Sequence, residues 1–129
     1  MAGHKRCSPI YKSRAVLAPN NYPGSPLIAA KLLRAQDRLV AIEKRDEDAT
    51  VLALALKPFA RAKVFEADGY SRLPALLPPP ERRGLILIDP PYEMADEFAQ
   101  AARAVSDIQR RFSTAIVIVW FPIKSAAVR

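Results

Sequence analysis

The sequence predicts an α/β fold with a mainly parallel sheet, and three observations carry that expectation. Short, nearly continuous apolar runs at Leu39–Ile42, Leu85–Ile88 and Ala115–Phe121 read as strands buried on both faces. Segments with apolar residues three and four apart lie between them, and strands alternating with helices are the signature of parallel connection. Polar residues Glu43, Asp68 and Asp89 each fall at the carboxyl end of an expected strand, where ligands gather in such sheets.

Taken in order, residues 1–21 show no sustained period and are expected to be a leader or tail, with Ala15–Ala18 as a candidate short strand. Residues 22–129 are expected to form part of one domain. Pro23-Gly24 signals a turn, and Ser25 followed by Pro26 reads as a helix cap with proline in the first turn. Leu27, Ile28, Leu32 and Leu33 then give a buried helix face ending near Gln36. After the strand ending at Glu43, Asp46–Lys57 has acids in its first turn, a lysine at its end and Pro58 beyond it, as helix polarity favours. Ala62–Glu66 is a further strand, Ala67–Tyr70 a turn, and Ser71–Leu77 a brief helix stopped by three prolines. Gly84 precedes the clearest strand, Leu85–Ile88. Phe98, Ala101, Val105, Ile108 and Phe112 mark an amphipathic helix, and Pro122 ends the last strand.

With 129 residues, 50% of them hydrophobic and 26% charged, the chain has the proportions of one soluble globular domain or of part of one. A disordered tail, a collagen-like repeat and a disulfide-built mini-protein are excluded. No apolar run approaches the roughly 18–20 residues of a membrane span, and no secretory signal follows Lys5-Arg6. His4 and Cys7 are the only residues of their kinds, so neither a Cys/His metal site nor an internal disulfide can form. A cytoplasmic setting is the simplest expectation. A net charge of +7 points towards a polyanionic partner, although a basic surface is often only solvated.

Asp89-Pro90-Pro91-Tyr92 carries the most chemistry. Two consecutive prolines remove two N–H donors, so the loop presents acceptors, the Asp89 carboxylate and the Pro90 carbonyl, beside a flat tyrosine ring. Such a loop suits a planar molecule bearing an exocyclic amine, for example an adenine turned out of its strand. The amine nitrogen is a poor nucleophile because its lone pair is conjugated into the ring. Accepting both of its hydrogens favours the more tetrahedral nitrogen that attacks an electrophilic methyl group.

The tetrapeptide resembles motif IV of the amino-methyltransferases. The wider text, Tyr22-Pro23-Gly24-Ser25-Pro26-Leu27-Ile28-Ala29, then Glu43, then Ala67-Asp68-Gly69, then Arg82 through Met94, closely resembles the RlmJ family. The resemblance extends from about Tyr22 to Lys124. It implies a Rossmann-like, S-adenosylmethionine-dependent methyltransferase sheet that methylates N6 of an adenine in 23S ribosomal RNA. It further implies that Ser25, Glu43, Asp68, Gly69 and Asp89 contact S-adenosylmethionine and that Asp89 is the proton acceptor. Pro90, Pro91 and Tyr92 are then the substrate-binding residues. Without the resemblance, Ser25 reads as a cap, Glu43 as a solvated strand-end charge and Asp68-Gly69 as an ordinary turn. Trp120 and Phe121 read as core at a strand end rather than as a base-stacking platform. The pairs Lys44-Arg45, Arg82-Arg83 and Arg110-Arg111 read as solvated surface whose sum would help hold RNA phosphates.

The sequence also departs from the family. Its glycines stand only at 3, 24, 69 and 84, so the glycine-rich turn that ends the family's first strand has no counterpart. The family's amino-terminal histidines, the insertion before Tyr22 and the carboxyl-terminal part of the domain are also unmatched. That first strand is central in the family's sheet, and its absence leaves two unpaired inner edges through which chains can self-associate. The expectation is therefore an incomplete sheet in a fragment, truncated product or degenerate paralogue that binds S-adenosylmethionine weakly or not at all unaided. Two other functions compete with the rRNA methyltransferase: a non-catalytic basic RNA-binding remnant of the fold, and a DNA adenine-N6 methyltransferase. Neither a metal nor a membrane is expected as a partner.

Overall fold

A computed structural model describes residues 23–123. The expected leader at 1–21 and the candidate strand Ala15–Ala18 lie outside the described residues. The chain divides into two units, the first containing residues up to Ala41 and Asp46–Phe65, the second Ile42–Arg45 and everything from Glu66 onward.

Along the chain, helix α1 (Ser25–Leu32) is followed by β1 (Leu39–Glu43), α2 (Asp46–Leu56) and β2 (Ala62–Glu66); the first unit holds these except the carboxyl ends of the two strands, Ile42–Glu43 and Glu66, which belong to the second. The cap of α1 is Gly24, in extended conformation, and Ser25 is already helical. Ser25 therefore does not cap the helix as its sequence context predicts; the Gly24 carbonyl accepts from the Leu27 and Ile28 N–H groups instead. The helix also stops at Leu32, because Arg34 and Asp37 form a local turn. The Arg34 guanidinium donates to both carboxylate oxygens of Asp37 at 2.9 and 3.0 Å, and the Asp37 N–H closes onto the Arg34 carbonyl. Those side-chain hydrogen bonds, with the guanidinium charge, hold the Asp37 carboxyl below the usual carboxylate range. Acids Asp46, Glu47 and Asp48 occupy the first turn of α2, where the helix dipole favours them. Ala30, Ala41 and Leu56 form the buried centre, with Leu27, Leu39, Leu52, Phe59, Ala62 and Val64 packed around it. The strands run parallel: the Leu39 N–H meets the Arg61 carbonyl at one end of the ladder and the Ala67 N–H meets the Glu43 carbonyl at the other.

In the second unit, α3 (Gly69–Arg72) runs into a 3₁₀ turn, Leu73–Leu76. The order is then β3 (Leu85–Ile88), α4 (Glu97–Arg111) and β4 (Ile116–Val119). β3 and β4 are parallel, in the register Leu85 with Ile116 through Ile88 with Val119. Helix α4 buries Ala101, Ala104 and Ile108 against Ile88, and Ile86, Val117, Val119, Tyr70 and Leu73 complete this core. Ile108 is wholly buried. Burying each large aliphatic side chain contributes about 1.5–3 kcal/mol.

The fold is the expected α/β one with parallel pairing, and three details differ from the sequence expectation. Among the described residues the four strands form two two-stranded ladders, β1 with β2 and β3 with β4, rather than one sheet. The β3–β4 pair is covered on one face only; Leu85, Leu87, Ile116 and Ile118 on the other face are exposed, since a single helix layer packs on this ladder. Finally, β4 ends at Val119 rather than Phe121. The Trp120 N–H still reaches the Ile88 carbonyl at 3.0 Å, but Pro90 and Pro91 on the partner strand have no N–H with which to continue.

Candidate active site

The second unit contains every predicted site residue except Ser25. Glu43 and Asp68 stand at the neighbouring carboxyl ends of β1 and β2, joined through the Ala67–Glu43 backbone bond of 3.0 Å. Glu43 is half-buried, and one carboxylate oxygen accepts from the Arg45 N–H at 3.0 Å. Asp68 is the cap of α3: a single oxygen accepts from the Ser71 N–H at 3.3 Å and from the Ser71 hydroxyl at 2.7 Å. The turn expected at Ala67–Tyr70 is thus a cap followed by a helical turn, with Gly69 its first residue. Each carboxylate keeps one oxygen on which no hydrogen bond falls among the described residues. Such paired acceptors at adjacent strand ends fit the hydroxyl- and amine-bearing half of a nucleoside cofactor. Ser25 belongs to the first unit, where it is exposed at the start of α1.

Asp89 follows β3 directly and is exposed, as are Pro91 and Glu93. Tyr92 behaves differently from its neighbours. Its φ of 54° lies in the left-handed region, uncommon for a bulky residue, and only 5% of it is exposed. The positive φ folds the chain back so that the ring inserts beside α4, 4.6 Å from the Phe98 ring and 6.3 Å from that of Trp120, centre to centre. Tyr92 is therefore a buried wall of the loop rather than the open flat ring its sequence context predicts.

Tyr70, which sequence reasoning passed over, links α3 to this loop. It packs on the Ile88–Ile108 core, and its hydroxyl is buried with no hydrogen-bond partner among the described residues. Burial pushes its phenol above the ordinary tyrosine range, with smaller contributions from its neighbours Tyr92, Glu97 and Asp68. Trp120 and Phe121, expected in the core, are 54% and 55% exposed. Alternation along β4 explains the tryptophan: Val117 and Val119 point to α4, so Ile116, Ile118 and Trp120 point away. Arg82-Arg83 and Arg110-Arg111 are exposed, at the end of the unit opposite Asp89, with Arg110 paired to Asp107. Among the described residues no three of His, Cys, Asp and Glu are grouped to hold a metal, and no helix is long and apolar enough to cross a membrane.

Residues 15–128 match the family model described as "Ribosomal RNA large subunit methyltransferase D, RlmJ". The chain belongs to the RlmJ family. Among its relatives, a protein of Escherichia coli strain K12 named "Ribosomal RNA large subunit methyltransferase J" is 46% identical over 102 residues. A protein of the same name from Haemophilus influenzae is 41% identical over 102 residues. Both alignments cover 79% of this chain but only 36% of the relative, so the chain spans little more than a third of these RlmJ proteins. Protein LPL1258 from Legionella pneumophila, known from a crystal structure, is similar in fold with a TM-score of 0.69 and 45% sequence identity. That similarity covers 79% of this chain and 38% of the Legionella chain.

Proposed function

We infer that the chain carries the amine-binding and proton-accepting part of an S-adenosylmethionine-dependent methyltransferase acting on adenine N6 in 23S ribosomal RNA. The observation that supports this reading is Asp89-Pro90-Pro91-Tyr92 at the carboxyl end of β3, within a chain of the RlmJ family. S-adenosylmethionine supplies an electrophilic methyl group when bound, and Glu43, Asp68, Gly69 and Ser25 are the residues proposed to hold it together with Asp89. Pro90 and Pro91 keep donors away from the amine, and the Pro90 carbonyl and Asp89 carboxylate accept its two hydrogens. With the cofactor bound, Asp89 would accept the surplus proton of the amine as the nitrogen takes up the methyl group. Proton acceptance late in the step is enough, because the amine need not be deprotonated before attack.

Transfer of labelled methyl to protein-free 23S rRNA fragments tests the reading. Asp89→Asn is expected to lower the rate by about 10²–10⁴-fold, the usual range for a positioned proton acceptor. Equal rates for the variant and the parent would remove Asp89 from the chemistry. A second reading, a basic module that binds RNA without transferring methyl, draws on the net charge of +7. It predicts salt-sensitive RNA binding with no transfer by either protein.

A further inference from the structure

Trp120 stands beside Asp89 for a reason built into the sheet. In the parallel register Ile88 lies opposite Val119, and the Trp120 N–H donates to the Ile88 carbonyl at 3.0 Å. Asp89 and Trp120 are therefore the next neighbours across the pair, at about the 4.8 Å spacing of adjacent strands. Exposure alternates in step on both strands: Leu85, Leu87 and Asp89 are exposed on one, and Ile116, Ile118 and Trp120 on the other. The carboxylate and the indole are thus both exposed at the carboxyl ends of neighbouring strands.

Tyr92 cannot offer its ring there, being 5% exposed and enclosed by Phe98 and Trp120. Its ring lies against the indole of Trp120, which is 54% exposed and offers an open aromatic surface at the strand end next to Asp89. An exposed acceptor and an exposed π face at neighbouring strand ends match a planar heterocycle bearing an amine. The face attracts any base by stacking, and the acceptor selects those that can donate. Uracil and an abasic sugar lack one or both features.

We propose that Trp120 is a substrate-positioning residue, on whose indole the base presented to Asp89 stacks. The proposal rests on the reading of Asp89 as the amine acceptor, and it adds the surface that orients the base. Trp120 is the chain's single tryptophan, so its fluorescence reports this contact without interference from another indole.

The test is to titrate the 129-residue chain with a short unpaired RNA containing one adenine, and with the same RNA carrying an abasic site there. The phosphates, and so the electrostatic attraction, are then identical. Saturable quenching by the adenine RNA and little by the abasic RNA is expected. Trp120→Ala should weaken binding of the labelled adenine RNA by about 5- to 150-fold, the usual range for loss of one stacked base, while Trp120→Phe keeps most of the affinity. Far-UV circular dichroism of both variants checks that the fold is retained. Equal quenching by the two RNAs, binding without quenching, no binding at all, or unchanged affinity of a folded Trp120→Ala chain would each overturn the proposal. Quenching needs no methyl transfer. Base-dependent quenching without transfer would count against the methyltransferase reading alone, and Asp89-dependent transfer without quenching against Trp120 alone.

Discussion

Replacing Gly84 by alanine tests how closely β3 and α4 are fitted together. Gly84 does not need glycine's conformational freedom, since its φ is not positive; what it provides is close approach. A Cβ there would lie 2.9 Å from Cε1 and 3.4 Å from Cζ of Phe112. Carbon atoms rest at about 3.5–4.0 Å, so the ring must withdraw by roughly half an ångström or more. It has little freedom to do so. Phe112 is 7% exposed, its N–H is bonded to Ile108 at 2.6 Å, and its carbonyl accepts from Ala115. Gly84 is equally held, because its carbonyl accepts the Ile116 N–H at 2.8 Å where the β3–β4 ladder begins. Overpacking of this kind costs about 1–3 kcal/mol, and alanine recovers about 0.4–1 kcal/mol by stiffening the unfolded chain. The net expectation is a loss of about 0.5–2 kcal/mol, or a fall in Tm of several degrees for a chain of this size. Urea unfolding followed by far-UV circular dichroism measures it. In a Phe112→Leu background, where the clashing ring atoms are gone, Gly84→Ala should cost nothing or stabilise. An alanine variant as stable as the parent, or one with the same penalty in both backgrounds, would refute the reasoning.

The other predictions concern α3. Asp68→Ala should cost about 1 kcal/mol by uncapping the helix, whereas Asp68→Asn, which caps as well, should cost little. If S-adenosylmethionine affinity by calorimetry falls equally in both, the carboxylate charge rather than the cap serves the cofactor. Tyr70 should titrate above the ordinary tyrosine value. Its phenol is held above the ordinary value in the folded chain, so its contribution to stability is fully present below about pH 10 and is lost as pH rises through the raised value. Tyrosinate absorbance against pH should lose a step above the ordinary tyrosine value in Tyr70→Phe. That variant should be at least as stable as the parent at neutral pH, since it removes a buried hydroxyl that has no partner among the described residues.

The strands were legible in the sequence because their apolar runs are short, dense and bounded. Ala62–Glu66 and Leu85–Ile88 lie where the residues predict them. The amphipathic helix was legible for a similar reason, and Glu97–Arg111 spans the predicted spacing of Ala101, Val105 and Ile108. Helix ends were less so. Gly24 took the cap from Ser25, and the Arg34–Asp37 turn ended α1 early, through local hydrogen bonds that compete on margins of about a kilocalorie.

What the sequence by itself determined is the chemistry available: a donor-free Asp-Pro-Pro loop after a buried strand, acids at the ends of two others, and the order of elements. Local residue types suffice for that. Only the tertiary structure decided which side chains meet. The register that pairs Ile88 with Val119 sets Trp120 next to Asp89 across the strand ends, though 31 positions separate each pair along the chain. A positive φ at Tyr92 turned an expected open ring into a wall. One helix layer rather than two left Leu85, Leu87, Ile116 and Ile118 uncovered. An apolar run reads the same whether one face or both are buried, so composition cannot tell which face receives a partner.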